Sequence, residues 1–137
     1  MDDQIIDNYE FILDNIIKTH KNSLKDILIT LRNTKYFEDD VLLRLISYLK
    51  VSKLYELNCE YFPLHKFYIL KLGESNYIFY KNRHCDCIKE LSDKINLKNL
   101  CIHFLLYKIL LYTEKLTKIQ VQKENFENLI ISSTNIN

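Results

Sequence analysis

Three of the chain's four cysteines and one of its four histidines fall in two tight clusters, Cys85-Asp86-Cys87 and Cys101-Ile102-His103, with residues 88–100 between them. Two thiols at i and i+2, then a thiol and an imidazole at i and i+2, make a three-cysteine, one-histidine donor set. Sets of that kind close a tetrahedral shell around structural zinc. Side-chain direction makes the spacing workable. Cys85 and Cys87 follow the β-rich run Tyr77-Ile78-Phe79-Tyr80, and residues i and i+2 of a strand point to the same side. Cys101 and His103 precede a long apolar run, Phe104 to Leu111. Deep inside a helix, residues i and i+2 are turned about 200° apart and cannot share one ion. They can share it if Cys101 sits at the mouth of the helix and His103 in its first turn. The expected order is strand, metal knuckle, connector, helix.

Other uses of these cysteines were weighed. Two disulfides would suit a small secreted domain, but cysteine is sparse for such a scaffold. The opening Met1-Asp2-Asp3-Gln4 is acidic where a secretory leader would be basic. Buried, inert thiols remain the plain alternative, since free cysteine is commonly a small core residue. Cys59 has no Cys or His at ligand spacing and reads as one of these. His84 abuts Cys85, but on a strand its side chain points away from Cys85, so His103 is the preferred imidazole.

The pattern Cys-x-Cys, a variable gap, then Cys-x-His resembles the SWIM-type zinc finger. The flanks match as well: a hairpin from Lys66 to Leu72 through Gly73-Glu74-Ser75-Asn76 to Tyr77–Tyr80, then Leu100-Cys101-Ile102-His103-Phe104-Leu105-Leu106 opening an apolar helix. Ile88 departs from the family, where proline or an aromatic is frequent. Within the family, the short chain and these flanks look most like the small SWIM subunits of Shu-type recombination-mediator complexes. The resemblance covers about residues 64 to 131. It implies Zn²⁺ held by Cys85, Cys87, Cys101 and His103, and a heterodimeric partner, a RecA-like recombinase paralogue. It also implies a place in homologous recombination and DNA repair, and a nuclear location. The paralogue would bring the ATPase and most of the DNA contact.

The remaining chain reads as one compact α+β unit, a helical part at residues 1–57 and the finger with its C-terminal helices at 58–137. Ile5, Ile6, Tyr9, Ile12, Leu13, Ile16 and Ile17 recur at helical spacing. Ser23 is an N-cap for a second helix carrying Leu24, Ile27, Leu28 and Leu31, and Glu38-Asp39-Asp40 opens a third through Leu49. Lys53–Leu57 reads as a short helical turn and Asn58–Phe62 as a first strand ending at Pro63. The sheet is expected to be small and antiparallel. Both faces of the Lys66–Leu72 strand are largely apolar, so it is expected either to be covered on both sides or to change phase at a bulge. The helix from Cys101 to about Lys115 is apolar nearly all round. Such a helix is either central in its own core or half-claimed by another chain. On the second option Phe104, Tyr107 and Leu111 would face the partner. A last amphipathic segment runs from about Val121 to Ile131.

Composition limits the function classes. A single glycine cannot build a phosphate-cradling loop. Four protein ligands leave a zinc ion no open position for an activated water, so no enzyme activity is expected. No apolar run reaches the ~18 residues of a membrane span. The net charge of +1 makes a poor electrostatic binder of nucleic acid. It is uneven, however: residues 1–65 hold 11 acidic and 8 basic side chains, and residues 66–137 hold 7 and 11. A second reading follows from that basic half. Lys81, Arg83, His84, Lys89, Lys94 and Lys98, with Tyr77, Phe79 and Tyr80 for base stacking, would bind single-stranded DNA or RNA directly.

Overall fold

The computed structural model describes residues 2–80 and 101–134. The chain runs through α1 (Asp2–Thr19), α2 (Leu24–Thr34), α3 (Asp39–Val51), β1 (Ser52–Asn58), β2 (Phe67–Leu72), β3 (Ser75–Tyr80), α4 (Ile102–Tyr112), β4 (Thr117–Gln120) and α5 (Lys123–Thr134). The fold is α+β, as expected. Ser23 caps α2 by accepting the Asp26 N–H at 3.3 Å. Glu38 precedes α3 with no side-chain cap bond, and Asp39 and Asp40 lie in its first turn, where the helix dipole favours negative charge.

The sheet differs from expectation in two ways. Its order is β3-β2-β1-β4, and β1 is a central strand where a helical turn was expected. The segment expected to be the first strand is instead a pair of turns after β1: the Phe62 N–H donates to the Cys59 carbonyl and the His65 N–H to the Phe62 carbonyl, each at 3.1 Å. The sheet is also mixed, not antiparallel. β1 pairs antiparallel with β2, and β2 with β3, but β4 runs parallel to β1. The connection from β3 to β4 is long and contains α4, which leaves room for the parallel pairing of β4 with β1. A parallel pair requires a crossover of that kind. The division anticipated between residues 57 and 58 falls inside β1, so the helical part and the hairpin share one sheet.

Register sorts the side chains. Leu54, Leu70 and Tyr77 are cross-strand neighbours on one face, and so are Glu56, Tyr68 and Phe79. That face carries the main core, completed by Leu13 and Ile17 of α1, Ile27 and Leu31 of α2, Val41, Leu42 and Leu45 of α3, and nearly all of α4. The other face presents Leu57, Phe67 and Tyr80 to Phe126 of α5 and to Cys59. Phe67 stacks on Tyr80 with ring centroids 4.2 Å apart, and Phe126 meets Phe67 edge-on at 5.2 Å. That second face is covered at the Leu57, Phe67 and Tyr80 end and exposed at Lys53, Lys71 and Ile78, so β2 is covered on both sides only near its start. Gly73, at φ 62°, makes the left-handed turn of the β2–β3 hairpin, a conformation that side chains with a Cβ adopt at a cost.

Candidate metal centre

The second half of the cysteine–histidine pattern lies at the mouth of α4. Cys101 is the N-cap, with extended backbone angles (φ −116°, ψ 162°). Its Sγ accepts the Phe104 N–H at 3.3 Å, and its carbonyl accepts the Leu105 N–H. Sulfur therefore occupies the place where Ser, Thr or Asp oxygen usually satisfies a free helix donor. His103 is the second residue of α4. The change from extended to helical backbone falls between the two residues, as a shared ion at i and i+2 requires.

The His103 ring is 2% exposed. One ring face stacks on Tyr77 of β3, with centroids 4.0 Å apart and planes 17° from parallel. A second stacking contact, to Tyr48 of α3, spans 6.3 Å at 15°. Imidazole binds metal in the ring plane, through a nitrogen lone pair. A ring stacked this way keeps its edge for polar partners. The Tyr77 contact also ties the hairpin to the mouth of α4.

Cys85 and Cys87 lie outside the described residues, as do His84 and the basic side chains of that stretch. Among the described residues no group of three or more His, Cys, Asp or Glu is placed to hold a metal ion. Two of the four expected ligands fall outside that set. The two that fall inside fit half of a closed N/S shell by donor chemistry: a helix-capping sulfur and an edge-on imidazole. Cys59 is buried in the smaller core with Phe67 and Tyr80, as a structural thiol.

Reading α4 as a partner surface needs correction at two of three residues. Phe104 is 1% exposed and Tyr107 3%. Phe79 stacks on Tyr107 at 4.3 Å and lies 5.9 Å from Phe104. The sheet of the same chain covers both rings, leaving Leu111, half-buried, as the only one of the three with surface to offer. The stacking platform for single strands is corrected in the same way. Phe79 and Tyr80 are buried, and Tyr77 is engaged with His103.

A buried polar layer beneath α4 was not foreseen. Lys108 Nζ lies 3.5 Å from Asp14 Oδ1 of α1 and donates to the Tyr112 hydroxyl at 3.4 Å. Glu56 of β1 accepts from the Tyr68 hydroxyl at 3.0 Å and from Asn58 Nδ2 at 3.1 Å, with Lys66 Nζ at 3.6 Å. Burial pushes the Glu56 carboxyl up. The bonds from Asn58 and Tyr68 and the charges of Lys66 and Lys118 outweigh that, holding it below the usual carboxylate range. Tyr68 is pushed up to about 12 by burial first and then by its bond to Glu56. Tyr107 is raised chiefly by burial. Lys108 was visible in the sequence as a charge interrupting an apolar run, and such a charge needs a partner. Asp14, placed on the polar side of α1, carried no such signal.

Comparison of the chain with protein-family models, curated proteins and solved structures gave no match. Among the described residues no helix is long and apolar enough to cross a membrane.

Proposed function

We propose that this protein is a non-catalytic, zinc-stabilised adaptor of SWIM type, pairing with a RecA-like recombinase paralogue in nuclear homologous recombination and DNA repair. One observation carries the zinc reading: the Cys101–His103 pair stands at the mouth of a helix, pinned through Tyr77 to the hairpin that leads toward Cys85 and Cys87. Zinc would be held by Cys85, Cys87, Cys101 and His103, and it supplies folding free energy when bound. Cys101 would contribute the sulfur that caps α4. Tyr77 and Tyr48 orient the His103 ring. With four protein ligands no position is left for an activated water, so the role is binding rather than chemistry.

The partner class rests on the likeness of residues 64 to 131 to Shu-type SWIM subunits and is an argument by analogy. With Phe104 and Tyr107 in the core, the paralogue would engage other surface, with Leu111 at most on its margin. The decisive experiment is elemental analysis of the purified, reduced full chain, followed by co-purification with RecA-like paralogues. One zinc per chain and a stable heterodimer are expected. A chain without stoichiometric zinc overturns the proposal. Tight, salt-sensitive binding of single strands by the chain alone would favour the nucleic-acid reading instead.

A further inference from the structure

The imidazole of His103 has a freedom that its backbone does not remove. Rotation of a histidine ring about the bond to its Cβ is broad and roughly two-fold. A helical backbone at residue 103 therefore sets where the ring begins but not where its nitrogens point. An ion bound through a lone pair in the ring plane needs that rotation settled. In metal sites it is settled by groups around the ligand, and losing them costs metal affinity.

Two rings from different elements lie nearly parallel to this imidazole. Tyr77 of β3 is 4.0 Å away and 17° from parallel, and Tyr48 of α3 is 6.3 Å away and 15° from parallel. Each tyrosine is itself held. Tyr77 pairs with Leu70 across the sheet and packs against the main core. Tyr48 packs against the same core, its hydroxyl accepts from Arg44 Nη1 at 3.4 Å, and the guanidinium lies 6.0 Å over its ring. Tyr77 belongs to the stretch that resembles a SWIM finger, residues 64 to 131, and Tyr48 lies outside it. The ligand pattern alone gives no reason to look at α3.

We infer that Tyr48 is a positioning residue for the metal, acting with Tyr77 through the plane of the His103 ring, so that α3 is part of the zinc site. The inference rests on the zinc proposal and adds to it a residue and an element outside the finger. Linkage makes the effect mutual: if docked α3 raises affinity for the ion, the ion strengthens the docking of α3 by the same factor. A ring that only filled space would behave differently. It would stabilise the metal-free and metal-bound chain equally, and its loss would leave affinity unchanged.

The test is titration of the full, reduced chain with zinc against a competing chelator, with cobalt(II) as a spectroscopic probe of the ligand field. Tyr48→Leu should bind zinc about 10-fold more weakly, and Tyr77→Leu, at the shorter contact, toward 100-fold. The visible cobalt bands should shift or weaken in both. Tyr48→Phe keeps the ring and loses only the Arg44 bond, so it should bind as the wild type does. Tyr48→Met serves the same comparison if Tyr48→Leu does not fold. Denaturant unfolding with and without zinc closes the cycle, and Tyr48→Leu should destabilise the metal-bound chain more than the metal-free one. Equal destabilisation with unchanged affinity would assign Tyr48 to packing and overturn the inference while leaving the zinc proposal standing. So would a Tyr48→Phe chain as weak as Tyr48→Leu, because the hydroxyl and not the ring would then matter. A wild-type chain that takes up neither metal would overturn the zinc proposal itself, and the inference with it.

Discussion

The ring of His103 has a packing role and, on the zinc proposal, a ligand role, and substitution can separate them. His103→Phe keeps an aromatic ring for Tyr77 and Tyr48 to stack on but removes both nitrogens. Zinc content should fall from one per chain to none, while the metal-free thermal midpoint moves little. His103→Ala should lose the metal and also open a cavity, costing about 3 kcal/mol in metal-free denaturant unfolding. Lys108 and Asp14 form a similarly separable pair. Asp14→Ala removes the carboxylate 3.5 Å from the buried Lys108 ammonium, an expected loss of about 3 kcal/mol, at the low end because the Tyr112 hydroxyl and the Phe104 ring still face it. The double change Asp14→Leu with Lys108→Met removes both charges together and should be nearly neutral or stabilising by the same assay. Glu56 sets an acid dependence. Its folded carboxyl titrates below the ordinary value of 4.5, so its contribution is complete above that value and is lost as pH falls through the lower, folded one. Glu56→Gln should therefore flatten the decline of the urea midpoint below about pH 5. An unchanged acid limb would remove Glu56 as its cause.

At the scale of elements, most of what was legible came from helices with a clear stripe and from the hairpin. Ser23, Glu38-Asp39-Asp40 and Gly73 each announced a helix start or a turn by local chemistry that the structure retains. β1 was missed because Glu56 occupies a core-facing position between Leu54 and Asn58, so neither alternation nor a continuous apolar run was visible. The carboxylate is accommodated by bonds from Asn58 and from the Tyr68 hydroxyl of β2, and by the charges of Lys66 and of Lys118 on β4. β4, Thr-Lys-Ile-Gln, is exposed along its length and carries no strand pattern; its pairing partner lies some sixty residues earlier in the chain. α5 was recognised by its apolar spacing, and it holds the far side of the sheet largely through one ring. Phe126→Ala should cost about 3–5 kcal/mol, because Phe126 is fully buried against Phe62 and Phe67. Hydrogen exchange should show the loss as faster opening of α5 and β4, with α2 and α3 little changed.

Over the whole molecule, the proposed ion would join the end of the hairpin to the start of the central helix. Structural zinc contributes on the order of 10–16 kcal/mol in finger peptides at neutral pH, against ~5–15 kcal/mol for an entire domain. Stripping the metal with a chelator at pH 7 should therefore lower the thermal midpoint sharply, and re-addition of zinc should restore it. Acid should act in the same direction, since three thiolates and an imidazole take up protons as the ion leaves. A midpoint indifferent to chelation would dispose of a structural metal. The sequence alone determined what depends on near neighbours: the amphipathic helices and their caps, the glycine turn, and the change from extended to helical backbone between Cys101 and His103. The tertiary structure alone decided what depends on distant partners. It put β4 parallel to β1, buried Glu56 and Lys108 against groups from other elements, and spent Phe104 and Tyr107 on the protein's own core. Side-chain spacing records which residues share a face, but the identity of the surface meeting that face is set by packing between segments far apart in the chain.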